Sequence, residues 1–379
     1  DEYGIDPFRL CALNARSAAA HGATIRNHTV VTRLLREGAA VVGAEIEDAR
    51  TGAREEVRAR AVLNAGGPWA PKIAALAGVA VRIRPGKGVH LTLDRRLSNY
   101  GIICKAVDGR DVFVMPHEDS SIIGTTDDDF YGDPDELTVT QDEVEYLLQA
   151  VEHTFPSVRS ARVLRAWAGV RPTLFAYGPL EDELASFRAM AQEAVDLIAH
   201  KAGNSQPCRT HEVPLPGGEA AAPSAETLGR EHTVPSYAAA RISYRHGAEA
   251  ERILSLAEER PELRAFACSC EGVTFAELLF SLREEFASSL TDLRRRCRLG
   301  MGVCQGARCG GPAAALLAGE LGLSHEKALA EANAFLDERW KGHRPVLAGD
   351  GLAQAELFQC TYYATCALPR DGAPERPWR

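Results

Sequence analysis

The chain has no run of about 18 or more apolar residues, so it offers no transmembrane helix and any membrane contact is expected to be peripheral. It has no excess of positive charge. Lys and Arg number 43 against 52 Asp and Glu, a net charge of −9, which removes a general electrostatic drive toward nucleic acid. No secretory signal precedes the ten cysteines and their spacing is uneven, which argues against a disulfide framework and fits a reducing cytoplasm. Internal repeats and low-complexity tracts are also missing. So are an initiator Met and any targeting pattern at the opening Asp1-Glu2-Tyr3-Gly4, and the sequence is therefore expected to begin within a longer protein.

What is present is the composition of a folded protein, 45% hydrophobic and 25% charged, and 379 residues exceed what one core usually supports, so at least two packed units are expected. Asp6 followed by Pro7 reads as an N-cap and first-turn pair for a helix that stops at Gly22. Three β-rich segments follow, Thr24 to Leu35, Ala39 to Asp48 and Glu56 to Asn64. Alternation in His90 to Leu93, Asp111 to Met115 and Ser121 to Thr125 predicts an antiparallel sheet. Thr140 and Glu143 form a capping box for an amphipathic helix carrying Val144, Leu147, Leu148 and Val151. From Cys208 to Ser236, Pro, Gly, Ala and Thr dominate, which marks a connection. The cationic Arg294, Arg295, Arg296 and Arg298 lie on a helix-like stretch and read as a solvated face.

The strongest chemical signal is Cys268-Ser269-Cys270 followed by Cys304-Gln305-Gly306-Ala307-Arg308-Cys309. The interval reads as two helices, the first with a Thr274 and Glu277 capping box, that turn back and bring the pairs together. Four thiolates suit iron–sulfur or structural zinc. The C-x-C pair is tighter than the usual zinc knuckle, and Gly300, Gly302, Gly306, Gly310 and Gly311 permit backbone N–H groups to face sulfur. Pro312 opens a helix whose N-terminus points toward Cys309, favourable beside a net-negative cluster. This arrangement resembles the bacterioferritin-associated-ferredoxin-like (BFD-like) [2Fe-2S] domain over Phe266 to Leu317. The resemblance makes Cys268, Cys270, Cys304 and Cys309 the ligands and gives Cys297 no ligand role. Cys11, Cys104, Cys208, Cys360 and Cys366 read as ordinary thiols.

A second resemblance rests on phrases in order: Asp6-Pro7-Phe8-Arg9-Leu10, His21-Gly22-Ala23, Asn64-Ala65-Gly66-Gly67-Pro68-Trp69, Lys87-Gly88-Val89-His90, Ile123-Gly124-Thr125-Thr126-Asp127 and Gly169-Val170-Arg171-Pro172. Together they resemble the FAD-dependent glycerol-3-phosphate dehydrogenases. Asp292 to Arg296, Gly300 to Gly306 and Phe335 to Gly342 are similar to the catalytic A subunit of the anaerobic type. The resemblance implies an α/β, two-layer fold of the FAD-dependent oxidoreductase (DAO-like) kind, incomplete here, with a small helical BFD-like domain added. It implies FAD beside Val30, Asn64, Ala65, Gly66, Gly67 and Trp69, substrate held by Arg171, and His90 polarising or deprotonating the C2 hydroxyl. Taken alone, Asn64 to Gly67 is a glycine turn ending an apolar strand, Val30 a core valine and His90 a structural histidine.

The expected organisation is a partial oxidoreductase unit over 1–202, a connecting region over 203–262, the [2Fe-2S] domain over 263–320 and a helical tail over 321–379. The implied reaction is oxidation of sn-glycerol 3-phosphate to dihydroxyacetone phosphate, with electrons leaving through partner subunits toward a membrane quinone. The implied location is the cytoplasm, at the inner face of the cell membrane. Two departures stand out. No G-x-G-x-x-G is present to cradle a pyrophosphate. The family's Gly-Gly-Lys motif is replaced between Leu180 and Phe187 by Glu181-Asp182-Glu183-Leu184-Ala185-Ser186. Both make the sequence read as a shortened version of a longer protein that would not hold FAD tightly alone. The alternatives are a flavin amine or amino-acid oxidase subunit of the same fold, and a non-enzymatic electron-transfer or scaffold subunit that kept only the cluster.

Overall fold

The computed structural model describes residues 5–174 and 187–365. Helix α1 (Pro7–Ala20) starts where expected: Asp6 accepts from the Phe8 and Arg9 N–H groups, and Pro7 supplies the first turn. Strands β1 (Thr29–Glu37), β2 (Ala40–Asp48) and β3 (Arg54–Arg58) form an antiparallel meander. The third expected strand is displaced. It ends at Arg58, and Ala61, Val62 and Leu63 before Asn64 join no ladder among the described residues. An apolar run becomes a strand only with a neighbour to take its backbone hydrogen bonds.

After the Gly67–Trp69 turn and α2 (Ala70–Leu76), a six-stranded antiparallel sheet follows. Its strands are β4 (Ile83–Leu93), β5 (Ile102–Lys105), β6 (Asp111–His117), β7 (Ser120–Gly124), β8 (Asp128–Asp129) and β9 (Val163–Leu174), with β4 central between β7, β8 and β9. One face is apolar. Val89, Leu91, Leu93, Val112, Val114 and Ile123 pack under α3 (Gln141–Glu152), whose Leu147 and Val151 are fully buried. Each such leucine contributes about 1.5–3 kcal/mol by leaving water. The α3 capping box is reciprocal between Thr140 and Glu143, as the sequence reads.

Beyond α4 (Phe187–Lys201), the region expected as a connection carries α5 (Ala225–Glu231), α6 (Ser236–His246) and α7 (Ala250–Glu259). Leu228, Ile242, Ile253 and Leu254 share a core with Leu279 and Phe280 of α8 (Phe275–Glu284). Its Pro and Gly composition belongs to the turns, while short alanine-rich helices supply the packing. The hairpin of β10 (Phe266–Cys268) and β11 (Val273–Thr274), then α9 (Leu290–Cys297) and α10 (Gly310–Leu321), surround the cysteines. The partly buried Phe275 and Leu316 pack against both helical cores, so the expected boundary near 262 falls within one continuous apolar interior.

The region expected as a tail contains α11 (His325–His343) and α12 (Gly349–Thr365). The first of these is built in: Phe335, Leu336 and Trp340 are buried, and α11 packs on α10 and β9. Among the described residues no helix is long and apolar enough to cross a membrane. The segment that stands in place of the Gly-Gly-Lys motif lies outside the described residues, as does Cys366.

Candidate functional site

Two sites emerge, one on the large sheet and one among the cysteines. On the sheet, Gly86 stands opposite Arg171, Gly88 opposite Gly169, and His90 opposite both Trp167 of β9 and Gly124 of β7. Side chains alternate along a strand, so Arg84, Gly86, Gly88 and His90 share one face with Arg165, Trp167, Gly169 and Arg171. Three of these are glycine, which leaves a floor of bare backbone between Arg171 and His90. A Cβ on Gly88 would stand 2.6 Å from Thr125 Oγ1 and 2.9 Å from Arg171 Nη2, so the arginine lies back across it; above Gly169 there is nothing within 4 Å.

Arg171 donates through Nη2 to Thr125 Oγ1 at 3.0 Å and through Nη1 to Asp127 Oδ1 at 3.1 Å, and both nitrogens reach the Thr126 carbonyl at 3.3 Å. Its side chain remains 42% exposed. Arg84 shares Asp127 at 3.4 Å and holds Asp129 at 2.7 Å. The sequence reading misses Arg84, Asp127 and the glycine floor, although the period-two spacing of Gly86, Gly88 and His90 is a signal for them. Lys87, between them, points to the other face and pairs with Glu143 at 2.6 Å.

His90 stacks on Trp167 with ring centroids 5.3 Å apart and meets Phe113 at 5.5 Å. Its Nδ1 is buried without a hydrogen-bond partner. Burial, and then the charge of Arg171, lower its pKa to about 4, so the ring is neutral near pH 7. Burial likewise lowers His117 to about 3 and His343 to about 4, helped by Arg298 and by Arg339 respectively. An unfolded chain takes up these protons near pH 6.5, before the folded chain does, so the histidines cost stability as pH falls from about 6.5 toward 4. The urea midpoint is expected to decline steadily over that window; a flat or rising midpoint counts against buried neutral histidines.

On the flavin side, Asn64 closes a turn by accepting from the Gly66 N–H at 3.0 Å and donating to the Ala70 carbonyl at 3.0 Å. Gly67 has φ +54° and open space where a Cβ would stand, so backbone there admits close approach. Ala65 lies within this turn, and Trp69 donates to Asp135 at 3.3 Å. Val30 on β1 is 54% exposed and Leu63 53%, so Val30 is no core valine. Open apolar side chains and a glycine turn suit the flank of a flat cofactor, and α2, which follows the turn, packs on β1, the strand of Val30. The turn also packs against β9, the strand that carries Arg171. No G-x-G-x-x-G stands in the given sequence to cradle a diphosphate.

The second site brings all four expected cysteines together. Cys268, Cys270, Cys304 and Cys309 line one cavity of about 200 Å³, with Phe266, Arg308 and Pro312 at its rim. Cys304 Sγ is 4.0 Å from Cys268 Sγ and 4.0 Å from Cys309 Sγ, and these three sulfurs lie within 4.8 Å of one another. Donors converge on sulfur as well: the Gly300 and Glu271 N–H groups reach Cys268, and the Cys304 N–H reaches Cys270. Hydrogen bonds from Cys304 and Cys309 lower the Cys268 thiol to about 4, while Cys268 and Cys304 together push Cys309 up. Crowded thiols resist losing every proton unless a cation takes up the charge, which is the chemistry of a metal centre.

The loop after α9 is shaped by glycine. A Cβ on Gly300, φ +69°, would stand 2.8 Å from the Gly306 Cα, and one on Gly306, φ +90°, would stand 2.5 Å from Phe335. Cys309 is the N-cap of α10, as the helix-end argument requires, but Gly310 rather than Pro312 opens the helix. Cys297 is fully buried, donates to the Leu293 carbonyl at 3.0 Å and stands apart from the group of three close sulfurs.

The arginines expected on a solvated face are the largest correction. Arg294 and Arg298 are buried, Arg296 bonds the Glu285 carbonyl at 2.9 Å, and only Arg295 is exposed, lying over Phe8. Arg298 holds Glu271 at 2.7 Å and Glu118 at 3.2 Å and touches His117. Glu118, at the tip of the β6–β7 hairpin, also takes Arg241 at 2.8 Å and Arg245 at 3.5 Å. The capping box expected at Thr274 is half made: Thr274 accepts from the Glu277 N–H, but the Glu277 carboxylate turns to Arg245 and His246. A buried guanidinium outbids one backbone N–H. With Arg9 of α1 on Glu285 at 2.7 Å, these charges join the large sheet and α1 to the cysteine unit.

Residues 1–200 match the FAD dependent oxidoreductase family, and residues 208–328 match the C-terminal domain of alpha-glycerophosphate oxidase. The A subunit of the anaerobic glycerol-3-phosphate dehydrogenase of Escherichia coli (strain K12) is 34% identical over 97% of this chain and 72% of its own length. That of Haemophilus influenzae is 33% identical over 96% and 69%. The corresponding A1 subunit of Haloferax volcanii is 32% identical over 97% and 68%. In fold, the chain is similar to the glycerol-3-phosphate dehydrogenase from Bacillus halodurans complexed with FAD, with a TM-score of 0.77 at 22% identity, covering 91% of this chain and 75% of that one. By sequence and by fold, then, the chain belongs to the FAD dependent oxidoreductases and, within them, to the family of the anaerobic glycerol-3-phosphate dehydrogenase A subunits.

Proposed function

We propose that this chain serves the oxidation of sn-glycerol 3-phosphate to dihydroxyacetone phosphate, and that its four cysteines hold a [2Fe-2S] cluster that passes electrons singly through partner subunits toward a quinone. The observation that carries the substrate reading is the trough itself, a guanidinium fork and a neutral imidazole on one sheet face with only glycine backbone between them. FAD, when bound, supplies the hydride acceptor. Val30 and the turn from Asn64 through Ala65, Gly66 and Gly67 to Trp69 would line its flank. Of the rivals, a scaffold that kept only the cluster has no use for this trough.

Arg171 suits a phosphate because its planar fork meets two oxygens at once, and Thr125, which accepts from Nη2, positions that fork. His90 is neutral, so a ring nitrogen is free to take the proton that leaves the C2 hydroxyl as hydride departs. A pKa near 4 makes it a weak base before substrate arrives. Phosphate on Arg171 offsets the positive charge that helps hold His90 down, so binding raises the basicity of the group that must act next.

For the cysteine site, iron–sulfur is favoured over zinc by the C-x-C pair and by the backbone N–H groups that face sulfur, a common feature of Fe–S sites. Membership of an A-subunit family supports partner subunits as the exit for electrons. Arg171→Lys in the flavin-loaded enzyme is expected to raise KM for glycerol 3-phosphate with a loss of about 1.5–3 kcal/mol in kcat/KM, since an ammonium cannot form the fork. Unchanged kinetics would remove Arg171 from the site.

A further inference from the structure

Among the buried charged residues of the cysteine unit, Arg294 stands without a counter-charge in contact. It is 7% exposed, yet no carboxylate among the described residues lies within ion-pair distance. Its partners are neutral: Nη1 donates to the Gly300 carbonyl at 2.9 Å, Nη2 to Gln305 Oε1 at 3.4 Å, and the guanidinium lies over the Phe335 ring at 6.0 Å. Arg298, four residues on, has two carboxylates. A buried charge left with neutral partners is costly, and the guanidinium of Arg165 adds repulsion, while the Glu338 carboxylate attracts both arginines only from beyond ion-pair distance.

The neighbours of Arg294 explain what would offset this. The Gly300 N–H donates to Cys268, and Gln305 directly follows Cys304, so the guanidinium grips both sides of the loop that carries Cys304 and reaches Cys268. Burial and Arg165 disfavour its charge, while Cys309, Cys304 and, after them, Glu338 favour it. We infer that Arg294 is the built-in counter-charge of the four-cysteine centre: its buried positive charge is balanced by the net negative charge of the metal-loaded thiolates, and it makes reduction of that centre easier. This rests on the four cysteines holding a metal centre. Reduction by one electron, supplied in a titration by dithionite, adds one negative charge to the site and no proton, so a fixed positive charge nearby favours the reduced form.

The test compares wild type, Arg294→Lys, which keeps the charge without the fork, and Arg294→Met, which keeps bulk without charge, each metal-loaded and chelator-stripped. In the loaded protein, Arg294→Met is expected to shift reduction against the cluster about tenfold, equivalent to about 59 mV for one electron, with Arg294→Lys nearer to wild type. In the stripped protein the order reverses: wild type carries a stranded charge, so Arg294→Met is expected to unfold at an equal or higher urea concentration than wild type, and at a lower one when loaded. Equal potentials in the three loaded proteins, the same loss of stability in loaded and stripped forms, or failure of Arg294→Met to fold in either form would overturn the inference and leave Arg294 a packing residue. Wild type that takes up zinc but no iron would end the iron–sulfur reading instead. The loaded-against-stripped comparison would then still decide the counter-charge, since four thiolates around zinc are also net negative.

Discussion

Replacing Cys304 by Ser is expected to bleach the visible charge-transfer bands of anaerobically purified protein and to drop its iron and sulfide from about two each per chain to near zero. Cys304 is the central sulfur of the group, 4.0 Å from both Cys268 and Cys309, and its N–H faces Cys270. A serine hydroxyl keeps the shape but does not ionise to a soft ligand, so the site loses a charge that the metal needs as well as a bond. Cys297→Ser is the matched control. It lies seven positions earlier, is buried at the end of α9 and donates to a helix carbonyl, a bond that a serine can also make. That variant is expected to keep both iron and colour. Stoichiometric zinc without iron in the native protein, or full colour in Cys304→Ser, would sink the cluster assignment.

The contrast between these two cysteines shows what a sequence carries. Spacing separates the C-x-C and C-x₄-C pairs from Cys297, and local rules place the elements that hold them, because caps and turns depend on residues only a few positions apart. The α1 cap at Asp6 and the α3 box at Thr140 and Glu143 are read correctly for that reason. Arg298, at the end of α9, is misread because its partners are remote: Glu118 and His117 come from a hairpin on the large sheet, and Glu271 from the cysteine loop. A charge run looks solvated until the opposite charges that bury it are known. The trough is half legible. Period-two spacing in β4 is visible, but the facing of Gly169 and Arg171 onto Gly88 and Gly86 depends on the β4–β9 register, which lies about 80 residues away in sequence.

The same remote charges underlie the second large expected effect. Glu277→Ala is expected to destabilise the folded chain by about 3–5 kcal/mol, the range for removing one partner of a buried ion pair. Glu277 has no exposed side-chain surface, accepts from Arg245 Nε at 2.6 Å and Nη2 at 2.8 Å, and meets His246 Nε2 at 2.9 Å. Burial alone would push this carboxyl up, but Arg245 and His246 outweigh it and hold the pKa at about 2. The contribution is therefore fully present above the usual carboxylate pKa and is lost progressively as pH falls from about 4.5 to about 2. Alanine leaves the buried Arg245 with Glu118 at 3.5 Å and the Glu271 carbonyl at 3.1 Å, too little to replace a bidentate carboxylate. Glu277→Gln, which keeps the volume and one acceptor, is expected to lose less. The double change Glu277→Leu with Arg245→Met removes both charges and is expected to recover much of the loss, because the cost lies in stranding one ion rather than in lacking the pair. Urea unfolding at pH 7 reads all three. A loss below about 1 kcal/mol for Glu277→Ala would mean that water reaches Arg245, and that the junction between the sheet and the cysteine unit is looser than its burial indicates.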